Sequence, residues 1–232
     1  MGCSTTEEYD PISDKWTKKA DMPTPRWGLS TSLVNGKIYA IGGVQYPKPL
    51  ATVEEYDPVA DTWTKKADMP TARWYHHSSV VNGKIYVIGG TPNDFATIYS
   101  VVEEYDPIMN TWSRKTDMPT ARASLCTNVV GDKIYAIGGS GKGNALHNPL
   151  GIVEEYDPVA DAWTKKADML TARFCLTTCT LDGKIYVFGG CGLGYKTYSS
   201  TEEYDTGFKG DLSIVNAKGK LTMTWGEIRR AK

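Results

Sequence analysis

Four arginines stand at matching places in the chain: Arg26, Arg73, Arg122 and Arg173. Each comes just before a run of small or β-branched residues. Aromatics follow at Trp27, at Trp74-Tyr75 and at Phe174, with Ala123 in the third copy. A guanidinium is permanently charged and presents a planar fork that fits a carboxylate. Four of them around one axis make either a ring for an acidic ligand or four ion pairs with carboxylates of the chain itself. Both alternatives stay open in the sequence. The first gives a candidate ligand-binding set of Arg26, Arg73, Arg122, Arg173, Trp27, Trp74, Tyr75 and His77. Its ligand is an Asp/Glu-bearing peptide or an acidic sugar, stacked on the aromatic faces.

Other chemistry has less support. The three histidines are His76, His77 and His147. His76 and His77 are adjacent on a strand pattern, so they point to opposite faces. The positions equivalent to His77 are Ser30, Cys126 and Thr177. No ligand spacing results, and no metal or cofactor is expected. Paired carboxylates occur as EEYD, starting at Glu7, Glu54, Glu103, Glu154 and Glu202. Adjacent strand residues diverge, so Glu54 and Glu55 are not an acid–base pair. Gly138 to Gly143 (GGSGKG) lacks phosphate-loop spacing and a following helix. No nucleophile elbow is present. No catalytic residue is assigned, and a non-enzymatic binding role is expected.

The elements that hold these residues come from a repeat. Residues 53–90 read VEEYDPVADTWTKKADMPTARWYHHSSVVNGKIYVIGG. Trp16, Trp63, Trp112 and Trp163 each stand seven residues after the Tyr of an EEYD. Gly pairs begin at 42, 89, 138 and 189, in steps of 47, 49 and 51. A period of this size means an array of supersecondary units. TSLV, SSVV, TNVV and TCTL lead into Asn35-Gly36, Asn82-Gly83, Gly131-Asp132 and Asp182-Gly183, which read as hairpin turns. KIYAIGG or a close variant is the second strand, VEEYDP the third, and the Trp strand the fourth. Four antiparallel strands per unit without helical period describe a propeller blade.

The Gly pair, the Tyr and Trp at fixed spacing, and the period resemble the kelch repeat over nearly the whole chain. The resemblance implies an all-β propeller of four or five four-stranded blades, with each first strand lining a channel. It implies an interaction module that binds a protein, peptide or glycan through loops and an Arg–aromatic rim. The alternative it raises is a carbohydrate-active enzyme like the kelch-like sialic acid mutarotases and lyases, or a part of a larger propeller protein. Ligands of the copper-oxidase and nitrile-forming branches find no match here.

One domain over 1–232 is expected, with a half-repeat at 5–23 and repeats at 24–70, 71–119, 120–170 and 171–232; 206–232 diverges. TWGEIRR reads as a displaced fourth strand. Alternatively SIVNAKGKLTMTW is an extra hairpin that closes a composite blade with the half-repeat. Gly2-Cys3 aligns with Gly190-Cys191, at the end of a second strand; MGCST also fits an acylation pattern, a weaker reading. Unpaired strand edges in the half-repeat predict that either residues 212–228 cover them or the chain self-associates. The net charge of −1 gives no support for nucleic-acid binding. No apolar run is long enough to span a membrane. The five cysteines show no disulfide framework and read as small buried thiols, which leans towards a reducing, cytoplasmic compartment. The connections VQYPKPLAT, TPNDFATIYS, SGKGNALHNPLG and CGLGYKTYSS differ between units, and such loops usually carry recognition.

Overall fold

The computed structural model of the chain describes residues 2–92, 97–142, 148–208, 213–215 and 221–224. His147 and residues 225–232, which include Trp225, lie outside them. A half-blade comes first, β1 (Glu7–Asp10) with β2 (Lys15–Lys18). Blade I holds β3 (Ser30–Val34), β4 (Lys37–Ile41), β7 (Val53–Asp57) and β8 (Thr62–Lys65). A small ribbon, β5 (Val44–Gln45) with β6 (Lys48–Pro49), sits in its loop. Blade II holds β9 (His77–Val81), β10 (Lys84–Ile88), β11 (Val102–Asp106) and β12 (Thr111–Lys115). Blade III holds β13 (Cys126–Val130), β14 (Lys133–Ile137), β15 (Val153–Asp157) and β16 (Ala162–Lys165). Blade IV holds β17 (Thr177–Leu181), β18 (Lys184–Phe188) and β19 (Thr201–Asp205). In every blade the strands lie side by side in chain order, as the repeat predicts. One 3-10 turn, Leu193–Tyr195, is the helical content of the described residues.

Local chemistry fixes these hairpins. Asn35 and Gly36 both take positive φ, 50° and 75°, as a two-residue type I′ turn requires. On the outer hairpin, Asp57 Oδ1 accepts the N–H groups of Val59 and Ala60 at 2.9 and 3.2 Å. Asp61, at φ 53°, then accepts the Tyr56 hydroxyl at 2.6 Å. Blades II and III repeat the first arrangement at Asp106 and Asp157.

The core lies between blades. Ile41, Val53 and Met69 of blade I pack with Val87 and Tyr105 of blade II, and Trp112 covers them. In blades I to III the outer-strand indole donates to the preceding blade: Trp63 to Ala20 O, Trp112 to Ala67 O and Trp163 to Thr116 O, at 2.9, 3.0 and 3.0 Å. The turn residue two positions earlier accepts the N–H of the same partner. These are Asp61 with Ala20, Asn110 with Ala67 and Asp161 with Thr116, each at 2.9 Å. An indole and a turn side chain thus clasp one residue of the neighbouring blade.

Three expectations need correction. Cys3 does not end a second strand. Its carbonyl accepts the Arg26 N–H, as Leu50, Tyr99 and Leu150 do for the next three arginines, so it stands where the loop enters the third strand. Of the inner-strand thiols, Cys126 is buried but Cys175 and Cys179 are exposed, because blade IV has an open face. The hairpin at the C-terminal end is real: β20 (Ser213–Val215) pairs with β21 (Leu221–Thr224). It forms a sheet of its own, and so does β1–β2, so among the described residues these strands are not joined in a composite blade.

Candidate functional site

The four arginines do not form an open ring. Their exposures are 2% for Arg26 and 0% for Arg73, Arg122 and Arg173. Each is paired inside its own blade with the first carboxylate of the EEYD strand. Arg26 pairs with Glu54, Arg73 with Glu103 at 2.7 Å, Arg122 with Glu154 at 2.5 Å, and Arg173 with Glu202. The Nη1 groups close on main-chain carbonyls, Arg26 Nε donates to Met22 Sδ at 3.3 Å, and the Nε groups of Arg73 and Arg122 are buried without a partner among the described residues. Arg122 Nη1 donates to Gly138 O at 3.1 Å and Ile152 O at 2.7 Å, and Arg26 and Arg173 repeat this pattern. Thr24, Thr71 and Thr120 hydroxyls satisfy the second carboxylate oxygen at 2.7, 2.7 and 2.8 Å. In blade IV, Leu170 stands where the others have Pro, and its N–H donates to Glu202 at 2.8 Å instead. Burial pulls Arg26 and Arg122 below the ordinary guanidinium value, and Arg73 to about 10, against the opposing pull of the carboxylates. These side chains fasten the tops of the second and third strands. The acidic-ligand reading is therefore withdrawn, because a ligand has no route to the guanidinium groups.

Of the two described histidines, His76 is buried and His77 is half-buried. His76 Nε2 donates to Ile41 O at 3.1 Å, and burial, with Arg73 and His77 nearby, depresses it to about 3. His77 Nδ1 accepts the Thr127 N–H at 3.2 Å and lies 2.8 Å from its hydroxyl. It links blade II to blade III and is not a rim donor. Burial pushes its pKa down. Among the described residues no group of three His, Cys, Asp or Glu converges as a metal site.

The aromatic part of the predicted set does assemble. Trp27, Trp74 and Tyr75 touch, with ring centroids 4.6 Å apart for Trp27–Trp74, 5.8 Å for Trp27–Tyr75 and 4.4 Å for Trp74–Tyr75. Trp74 is the buried base of the group, its indole donating to Pro92 O. Tyr75 is half-buried, and Trp27 is 37% exposed. A hydrogen-bonded path positions them. Tyr75 N–H donates to Gly28 O, Ser124 N–H to Tyr75 O and Cys175 N–H to Ser124 O, at 3.0, 2.8 and 3.0 Å. All four residues have positive φ, so this is a left-handed step repeated in each blade, costly for Tyr75, Ser124 and Cys175.

Two residues beside this path were not singled out by sequence reasoning. Tyr46 is 75% exposed and Tyr195 is 49% exposed. Trp27, Pro25, Gln45, Tyr46 and Gly2 line a cleft of about 430 Å³. Two aromatic faces and one amide can stack on a proline or sugar ring and hydrogen-bond its polar edge. The signal that was available is an aromatic placed differently in each loop, as Tyr46 and Tyr195 are.

The loops share one anchorage. The N–H that ends each loop donates to the second glycine of the Gly pair that starts it. The bonds are Leu50 to Gly43, Tyr99 to Gly90, Leu150 to Gly139 and Tyr198 to Gly190, at 2.8, 2.8, 2.8 and 3.1 Å. Glycine is required there: a Cβ on Gly90, at φ 97°, would lie 2.9 Å from both Trp74 O and His76 Cβ.

Comparison with known proteins agrees with this geometry. The family model described as the KLHDC2/KLHL20/DRC7 Kelch-repeats domain matches residues 5–139. The Kelch motif model matches 121–170 and 172–209. The chain is 41% identical to Kelch-like protein 15 of Danio rerio over 46 residues, 20% of this chain. It is 36% identical to an F-box/kelch-repeat protein of Arabidopsis thaliana over 53 residues, 23% of this chain. Those stretches span 8% and 14% of the two relatives. The solved structure of YjhT superposes with a TM-score of 0.71 at 20% identity, covering 83% of this chain and 74% of that chain. That likeness is one of fold.

Proposed function

The chain belongs to the Kelch-repeat domain family, and from that premise we propose that its loop face takes an extended peptide of a protein partner at the Trp27–Tyr46 cleft. Kelch-repeat propellers are typically protein-interaction modules, generally without enzymatic activity. The observation that carries the proposal is the cleft itself. Trp27 and Tyr46 are exposed aromatics beside Gln45, on a loop that differs from the loops of the other blades. Aromatic anchors in a pocket carry most of the binding energy in protein interfaces. The backbone beneath them is fixed by the blade-to-blade bonds at Gly28 and Tyr75, so little ordering is needed on binding.

A displayed random-peptide library tests this. Peptides selected on the full chain are expected to lose at least about tenfold in affinity, or about 1.4 kcal/mol, on Trp27→Ala and Tyr46→Ala variants. A Val59→Ser control at an exposed outer hairpin is expected to bind unchanged. Selected peptides that bind all three variants alike place the site elsewhere. Binding confined to a glycan panel replaces the peptide by a sugar.

A further inference from the structure

Among the described residues, three of the four blade-to-blade interfaces carry an indole, and the fourth does not. At the blade I–II interface, Trp112 lies over Ile41, Val53, Met69, Val87 and Tyr105, with Ala67 at its edge. The residues at the same places between blades III and IV are Ile137, Val153, Met169, Val187, Tyr204 and Ala167. All six line an open cleft of about 330 Å³. Met69 and Met118 are buried, whereas Met169 is only half-buried; Tyr56, Tyr105 and Tyr156 are buried, whereas Tyr204 is half-buried. β19 pairs with β18 on one edge and, among the described residues, with no strand on the other. Ala20, Ala67 and Thr116 each have an indole on the carbonyl and a turn carboxylate or amide on the N–H. No described residue makes either bond to Ala167.

We infer that this cleft is a docking site for an extended segment of a partner protein that bears Trp two residues after an Asp or Asn. The segment adds, as an outer strand, to the edge of β19 that no described strand pairs with, which satisfies main-chain groups and sets its register. Its indole fills the cleft and donates to Ala167 O, and its Asp or Asn accepts the Ala167 N–H. Three filled copies in the same molecule define this chemistry: Asp61-Thr62-Trp63, Asn110-Thr111-Trp112 and Asp161-Ala162-Trp163. The chain's own Thr224-Trp225 offers the indole but has Met223 where the others have Asp or Asn. Met223 carries no carboxylate or amide oxygen to match theirs. This surface is separate from the loop cleft proposed above.

The test uses the full chain and a fluorescent peptide with the sequence of residues 158–168, PVADAWTKKAD. Saturable binding is expected, weakened at least tenfold when the peptide's Trp is replaced by Ala. Replacing its first Asp, the one two residues before the Trp, is expected to weaken binding less. Hydrogen exchange is expected to slow at 201–205 and 166–170 and to stay unchanged at the loop cleft. Equal binding of the Trp→Ala peptide overturns the proposal, and so does the absence of binding. A peptide that binds only a Trp225→Ala chain also overturns it, because the site is then filled by the chain's own segment. Since the readouts lie in blade IV, failure here leaves the Trp27–Tyr46 reading standing.

Discussion

The buried arginine layer and the loop rim lie close together, yet they follow opposite rules. In the layer, four blades repeat one arrangement of guanidinium, carboxylate and strand-end carbonyls. At the rim, each blade differs: Tyr46 in one loop, Tyr195 in another. Repetition inside a ring reports a constraint that every blade must solve, whereas a departure from it is free to serve a ligand. Charge alone does not distinguish the two, since a permanently charged side chain can be buried where an opposite charge and hydrogen-bond acceptors meet it.

The largest test of this contrast is Arg122→Ala. It leaves Glu154 buried without its partner and should cost about 3–5 kcal/mol, read from the urea midpoint. Replacing both Arg122 and Glu154 with apolar residues should cost much less, which would sharpen the point. A loss below about 1 kcal/mol for the single change would break the structural reading of the layer.

Acid comes next. His76 has a folded-state value of about 3 against an ordinary 6.5. Between those values the unfolded chain binds a proton that the folded chain does not. Its contribution to stability is therefore complete above about pH 6.5 and is lost as pH falls towards 3. Stability should drop by roughly 2 kcal/mol between pH 7 and pH 5. A His76→Gln chain should show a flatter pH profile by chemical denaturation; an unchanged profile would mean that other groups govern the acid limb.

A smaller effect is expected for Leu170→Pro, which restores the residue of the other blades. It removes the N–H that serves Glu202, but Thr171 can supply its hydroxyl as Thr24, Thr71 and Thr120 do. The net change should be under about 1 kcal/mol. A thermal melt that falls much further would show that blade IV relies on its own variant of the layer.

The smallest is Tyr46→Ala, expected within about 0.5 kcal/mol in stability while peptide binding falls. A large loss of stability would make this rim residue part of the scaffold and erase the contrast.

The blades were legible in the sequence because each recurrent feature answers a recurrent geometrical demand. Asn35-Gly36 supplies two positive φ angles, and the Tyr56–Trp63 pair faces across two strands with centroids 5.0 Å apart. The fate of the arginines was open because exposure is not written in residue type. A clue did exist: a carboxylate recurs 28, 30, 32 and 29 residues after them, so donor and acceptor repeat together. The aromatic trio was half legible. Trp27 and Tyr75 were found by their place in the repeat, but burial of Trp74 depends on the loop that covers it. Tyr46 and Tyr195 break the repeat, so a reading based on recurrence passes over them. Cys3 was misaligned because a Gly-Cys pair occurs twice in different strand contexts, and EEYD was the better ruler.

The glycine bond at the base of each loop has an evolutionary consequence. Between the bonded residues lie stretches 44–49, 91–98, 140–149 and 191–197, all different in length, and the bond is kept in all four. The closure is thus indifferent to its contents. Lengthening a flexible loop costs only about 0.6 kcal/mol per doubling, so insertions there are nearly invisible to folding. Each loop is in effect an exchangeable cassette, and selection can rewrite specificity one blade at a time without renegotiating the ring. A laboratory graft of a foreign segment between Gly90 and Tyr99 would use the same freedom.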